Sequence, residues 1–225
     1  MPRPEILLFD ANETLFDLAP LQASVAKALG GDKALASTWF PTLLQHSLVA
    51  NVTGHYRPFD EIAAACLVML ARGNGIDLDD ETAKAHLAPM SKLPPHPDVA
   101  PALTRLRSEG YRLAILTNSP KATLLGQVED AGLAHAFVEL LSVDEIRTYK
   151  PAAKTYHWAA CRVGADPAAC CLVAAHGWDI AGAAWAGLKT AFLARPGKAP
   201  YGLAPEPDLR VDSLAALPEA LATLG

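Results

Sequence analysis

The run Glu5-Ile6-Leu7-Leu8-Phe9-Asp10-Ala11-Asn12-Glu13-Thr14-Leu15-Phe16-Asp17 decides the fold of this chain. Ile6 to Phe9 are consecutive apolar residues, the pattern of a short strand buried on both faces, as central strands of parallel sheets are. The strand ends in the carboxylate of Asp10, and open α/β sheets bind ligands beyond the carboxyl ends of their strands. Asn12, Glu13 and Thr14 follow at once. An ordinary strand-to-helix turn capped by Asp10 would account for this stretch equally well. The two readings separate only if polar groups recur at later strand ends.

Downstream, Leu21 to Leu29 is helical in pattern and stops at Gly30-Gly31. From Ala34 to about Ala88 there is no strand signal. Ala34–Val49 and Phe59–Leu70 are apolar at helical spacing, and Asp79-Asp80-Glu81 starts a further helix with acidic residues in its first turn. The Pro-rich link Leu93-Pro94-Pro95-His96-Pro97 closes this block. Residues 18–93 are therefore expected to form a helical cap inserted into a core made of 1–17 and 94–225. After the link, strand and helix alternate. Asp98 is an expected N-cap, with Val99, Ala102, Leu103 and Leu106 on one face and Gly110 as the stop. Tyr111–Thr117 is the second strand, and Ser119-Pro120 should cap and open a helix with Leu124, Leu125 and Val128 inward. Phe137–Leu141, Cys171–Ala175 and Thr190–Leu193 are further strands, with a helix over Ala152–Val163. Leu209–Val211 reads as an edge strand before a closing helix. Such alternation implies an α/β fold: a parallel, Rossmann-like sheet with helices on both faces.

Composition restricts what the protein does. In 225 residues, 51% hydrophobic and 19% charged describe a packed globular chain. A net charge of −5, with no Lys/Arg cluster, offers no footprint for nucleic acid or anionic membrane. The longest apolar stretch, Ala63–Ala71, is about half a membrane span. Cys66, Cys161, Cys170 and Cys171 lack metal-binding spacing and read as buried reduced thiols, so a cytoplasmic location is expected.

Polar groups do recur at strand ends: Thr117-Asn118, Lys150, and His176 with Asp179. Taken singly, Asn118-Ser119 could be a helix cap, Lys150 a solvated loop charge and His176 an interior histidine. Gathered at one edge of one sheet with Asp10, they read as a single site.

These residues carry a resemblance. Asp10, Thr117, Lys150-Pro151 and Asp179 resemble the four motifs of the haloacid dehalogenase superfamily, and the helical insert is similar to its cap. More narrowly, Phe9-Asp10-Ala11-x-x-Thr14-Leu15-Phe16-Asp17, Tyr149-Lys150-Pro151 with Tyr156, and Trp178-Asp179 resemble the L-2-haloacid dehalogenases. Most of the superfamily are magnesium phosphatases, whose pattern has a second Asp two residues after the nucleophile, acting as leaving-group acid. Here that position is Asn12, which cannot serve as an acid, and halide leaves without protonation. The phosphatase pattern also has an acidic pair in its fourth motif; here its first member is Ala175. A hard divalent ion wants several carboxylate oxygens, so metal-free, cofactor-free chemistry is expected. A magnesium phosphatase and a non-catalytic binding member are the alternatives.

The resemblance implies roles. Asp10 would displace halide from a short (S)-2-haloacid to form an aspartyl ester, with Lys150, Thr14 and Asp179 holding Asp10. Ala11, Asn12, Thr117 and Asn118 would receive the substrate carboxylate, Asn118 also the departing halide. Phe40, Tyr156 and Trp178 would wall the pocket. Glu13 and His176, paired in a subset of the family, would activate the water that cleaves the ester. The family's cap arginine falls near Trp39-Phe40, where this chain has Phe40; Arg57 or His55 could substitute. Members are often homodimers, which makes a homodimer an expectation.

Overall fold

A computed structural model describes residues 3–224. Six parallel strands form one sheet: β1 (Ile6–Phe9), β2 (Arg112–Thr117), β3 (Glu139–Ser142), β4 (Cys170–Ala174), β5 (Lys189–Leu193) and β6 (Leu209–Val211), in the order β3-β2-β1-β4-β5-β6. β1 lies between β2 and β4, with Phe9 in register with Ile115 and Val173. The strand order reverses there, and at such a switch point the connections diverge and leave a crevice. Asp10 stands at its mouth, its N–H continuing the ladder to the Val173 carbonyl (3.0 Å). Every side chain of β1, β4 and β5 is buried, as strands covered on both faces require.

Between β1 and β2 lie α1 (Ala19–Ala28), α2 (Lys33–Thr53), α3 (Phe59–Gly73) and α4 (Asp80–Leu87), with no strand among the described residues of this segment. The side chains of Asp32 and Asp79 cap α2 and α4 by accepting from Leu35 N (2.9 Å) and Thr82 N (2.7 Å). Trp39 of α2 anchors the layer, its indole N–H donating to the Ala63 carbonyl of α3 (3.0 Å). Asn51 of α2 makes a paired bond to the Tyr149 backbone, accepting from its N–H (2.8 Å) and donating to its carbonyl (2.9 Å). These bonds tie the helical layer to the segment that carries Lys150. The remaining helices are α5 (Val99–Ser108), α6 (Lys121–Asp130), α7 (Ala153–Arg162), α8 (Gly177–Trp185) and α9 (Leu217–Ala222). No helix among the described residues is long and apolar enough to cross a membrane.

Several local expectations are corrected. Asp98 holds the N-cap position of α5 but makes no side-chain capping bond; its carboxylate accepts two bonds from Arg195 and one from Leu214 N. Two bonds to the charged Arg195 guanidinium outweigh one to a backbone N–H at the helix start. Ser119 does not cap α6, because its hydroxyl accepts from the Asn12 amide (3.0 Å). Leu125 is partly exposed, and the inward position on that face belongs to Gln127. β4 stops at Ala174, and the next N–H, of Ala175, turns aside to donate to the Thr14 hydroxyl (3.0 Å). Cys161 is exposed, while the other cysteines are buried as expected.

α8 brings Asp179 under the sheet edge, and this close approach depends on Gly182. A Cβ there would lie 2.4 Å from Pro151 Cβ and 2.7 Å from the Tyr156 hydroxyl. Gly182→Ala should therefore lower unfolding stability by about 1–3 kcal/mol despite alanine's better helix propensity. Urea denaturation of the two proteins checks this.

Candidate active site

The turn after β1 is built so that Asp10 is held by three elements. Its Oδ1 accepts from the Lys150 ammonium (2.8 Å), and its Oδ2 from the Thr14 hydroxyl (2.8 Å) and from His176 Nδ1 (3.2 Å). Thr14 in turn accepts from Ala175 N, so the turn is laced to the end of β4. Burial alone would raise the Asp10 carboxyl. The Lys150 ammonium and the His176 ring overcome that, holding it well below the usual carboxylate range.

Lys150 is wholly buried and spends all three N–H groups: on Asp10, on the Leu116 carbonyl (3.0 Å) and on Asp179 Oδ2 (2.6 Å). Burial disfavours its charge, but the two carboxylates prevail and raise it above its ordinary value. Asp179 also accepts from the Tyr156 hydroxyl (2.5 Å). Burial raises its carboxyl, with the Lys150 charge opposing. Tyr156, expected in the pocket wall, thus lies fully buried behind Asp179 and orients it. Its aromatic spacing on α7 gave no sign of which way it faced.

Glu13 and His176 meet although 163 positions separate them, with His176 Nε2 2.8 Å from Glu13 Oε2. The imidazole bridges two carboxylates, Asp10 at Nδ1 and Glu13 at Nε2. Burial works against its charge, yet these hydrogen bonds and charges push it up to about 9, so the resting ring is an imidazolium. Glu13 is held below its usual value: burial opposes, but bonds from His176 and from Lys198 prevail.

Phe40, Leu44, Phe59, Thr117, Asn118, Lys150, His176 and Trp178 line a narrow space of about 10 Å³ over Asp10 and Asn12. Beyond Phe40, His176 and Trp178 a larger cavity of about 490 Å³ opens between α2 and the loop carrying Lys198. The inner space has donors to spare. Asn118 accepts Lys150 N at its carbonyl (2.9 Å), and its buried Nδ2, like the buried Trp178 indole N–H, has no partner among the described residues. The backbone N–H groups of Ala11 and Asn12 have no acceptor among the described residues. Unpaired buried donors are costly, and an anion would satisfy them. Thr117 borders this space while its hydroxyl accepts from Ser119 N (3.1 Å).

The Asn12 side chain turns away from Asp10. Its amide donates to Ser119 and accepts from the buried Gln127 (2.9 Å), which also donates to the Met90 carbonyl (2.7 Å). Arg57 and His55, considered as replacements for the cap arginine, line a separate groove with His46 and Met69. The cations that line these two cavities are Lys150, Lys198 and the protonated His176. Lys198, Leu44, Phe59 and Gln127 were missed from the sequence. Leu44 and Phe59 read only as helix-face apolar residues, and Lys198 stands in a Pro-Gly-Lys-Ala-Pro loop with no periodicity.

Comparison with known proteins agrees with this geometry. The haloacid dehalogenase-like hydrolase family matches residues 4–187. The (S)-2-haloacid dehalogenase of Pseudomonas sp. (strain YL) is 30% identical over 218 residues, covering 96% of this chain and 94% of that protein. The structure of L-2-haloacid dehalogenase from Xanthobacter autotrophicus superposes with a TM-score of 0.92 at 25% identity, over 99% of this chain and 100% of that one. The same enzyme with chloropropionic acid covalently bound superposes with a TM-score of 0.90 at 25% identity, over the same shares of both chains.

For a group whose folded-state pKa is raised, the bound proton stabilises the fold below the unfolded value and is lost as pH climbs. The His176 proton should therefore add stability that is complete below about pH 6.5, the free histidine value. It should fade as pH rises to about 9. An NMR titration should find this ring protonated at pH 7. The stability difference between the wild type and His176→Gln should shrink between those two pH values.

Proposed function

The chain belongs to the haloacid dehalogenase-like hydrolases, and we propose that Asp10, Lys150 and the Glu13–His176 pair carry out its reaction. That reaction is the hydrolytic dehalogenation of short 2-haloacids to 2-hydroxyacids with release of halide. One observation carries the assignment of roles: a single ionised carboxylate, clamped at both oxygens, faces a small apolar space ringed by unpaired donors.

The substrate carboxylate is received by the Ala11 and Asn12 N–H groups, with Thr117 and Asn118 beside them. Trp178 N–H and Asn118 Nδ2 are available to the leaving halide, and Phe40, Leu44 and Phe59 exclude water. Asp10 attacks the halogen-bearing carbon in line, the carbon–halogen bond breaks, and an ester forms. Rear attack inverts that carbon, so an (S)-2-haloacid gives an (R)-2-hydroxyacid. Exclusion of water around a buried carboxylate favours the displacement. Lys150 keeps Asp10 ionised, and Thr14, Asp179 and Tyr156 fix the geometry.

Esterification removes the Asp10 charge, and His176 then has one anionic neighbour instead of two. Its Nδ1 proton passes to solvent, and the neutral ring, held at Nε2 by Glu13, takes a proton from the water that attacks the ester. The reaction needs no divalent ion on this reading. Asn12 removes the leaving-group acid of the phosphatase pattern and Ala175 one of its metal-holding carboxylates, and Asp10 and Asp179 already share an ammonium. We further read residues 18–93 as a cap over the 1–17 and 94–225 core. The enzyme is read as cytoplasmic and as a homodimer, its exposed Leu48, Val49, Val52 and Met69 on α2 and α3 offering an apolar face.

Halide release from (S)-2-chloropropionate should continue unchanged in EDTA and vanish in Asp10→Asn. Magnesium-dependent phosphate release from small phosphate esters would overturn the assignment. In His176→Asn, ester hydrolysis should slow by roughly 10²–10⁴-fold while halide is still released in the first turnover. Mass spectrometry should then find the adduct on Asp10.

A further inference from the structure

We propose that Lys198, on the loop between β5 and β6, is a positioning residue for ester hydrolysis, sharing one oxygen of Glu13 with His176 and so limiting how firmly Glu13 holds the imidazolium. This inference rests on the Glu13–His176 reading above and deepens it.

The geometry is specific. Lys198 Nζ lies 2.7 Å from Glu13 Oε2, and His176 Nε2 lies 2.8 Å from that same atom. The other Glu13 oxygen takes neither cation. The loop that delivers Lys198 is pinned on both sides. Upstream, Arg195 is fixed by both oxygens of Asp98 (2.8 Å each) and donates to the Thr14 carbonyl (3.0 Å), and its own carbonyl accepts Lys198 N (3.0 Å). Downstream, Pro200 forms a bridge with Gly177, packed so closely that a Cβ on Gly177 would sit 2.5 Å from the Ala199 carbonyl. Glu13 is equally fixed. It has a positive φ of 62°, uncommon for a glutamate, held by its N–H donating to the Phe16 carbonyl (2.8 Å). A loop merely resting on the surface would need neither anchor.

The charged groups facing His176 are Asp10 at Nδ1 and Glu13 at Nε2, with the Phe40 and Trp178 rings against its faces. Lys150 lies behind Asp10 and Lys198 behind Glu13. Lys198, Glu13, His176, Asp10, Lys150 and Asp179 thus form a row of alternating charge. When Asp10 becomes an ester, the only anion left on His176 is Glu13. An unshared carboxylate on a buried ring would keep the imidazolium protonated and useless as a base. Lys198 draws on the same oxygen and lets that proton go. The atoms then balance. The water oxygen bonds to the ester carbonyl carbon as one water proton moves to Nδ1, and the acyl–oxygen bond breaks. The second water proton leaves on the hydroxyacid, restoring the Asp10 carboxylate and the imidazolium.

The test is rapid-quench single turnover of the full chain with (S)-2-chloropropionate from pH 5 to 10, following halide release and the Asp10 adduct separately. In Lys198→Met the rising pH limb of adduct hydrolysis should move to higher pH. Hydrolysis below the limb should slow about tenfold, while halide release stays unchanged. Lys198→Arg, which keeps the charge, should restore the wild-type limb. An unmoved limb in Lys198→Met, in an enzyme whose His176→Asn variant traps the adduct, overturns the role of Lys198 and leaves the Glu13–His176 reading intact. Equal loss of both steps in Lys198→Met and Lys198→Arg also overturns it, as the mark of a purely structural contact. If His176→Asn traps no adduct, the hydrolysis reading itself fails, and this proposal with it.

Discussion

The buried ammonium of Lys150 is the interaction on which the site depends. Asp10 follows β1 and Asp179 stands in the first turn of α8, and two carboxylates converging in a water-poor interior would repel one another and resist ionisation. Lys150 stands between them and spends its third N–H on a β2 carbonyl, leaving no unpaired proton. A buried ion pair missing one partner is strongly destabilising. Here every charge has a partner on both sides, ending in Tyr156 at one end and Lys198 at the other. The arrangement keeps Asp10 ionised, as the proposed nucleophile must be, and places Asp179 behind it.

The turn after β1 divides its work by residue. Thr14 couples Asp10 to the end of β4, Asn12 turns back into the helical face through Ser119 and Gln127, and Glu13 reaches across to His176. The proposed reaction follows from this division. An acid beside the nucleophile would suit an alkoxide leaving group, whereas a halide departs unaided and leaves an ester that needs a base. In the proposed mechanism the histidine bridging Asp10 and Glu13 serves as base only after Asp10 loses its charge, so the first step prepares the second.

Much of the architecture was readable because it follows local pattern. Buried parallel strands are continuous apolar runs, and the helices between them begin and end at Gly, Pro and acidic residues, so most elements fell within a few positions of their places. Errors arose where a polar side chain had a distant choice of partner. Asp98 looked like a cap and took Arg195; Ser119 looked like a cap and took Asn12; Tyr156 looked like a pocket wall and took Asp179. In each case, a partner distant in sequence decided where the side chain points.

The sequence by itself determined the sheet, the carboxylate at the end of its central strand, and the residue types at the other strand ends. Those depend on periodicity and on spacing along the chain. Only the tertiary structure decided which atoms share a proton or a charge. Lys198 reaches Glu13 because one loop is pinned between Arg195 and Pro200. Hydrogen bonds and ion pairs depend on separations of a few tenths of an ångström between groups far apart in sequence, and no local pattern encodes those distances. The strand end places Asp10; the fold around it sets the charge that Asp10 and His176 carry.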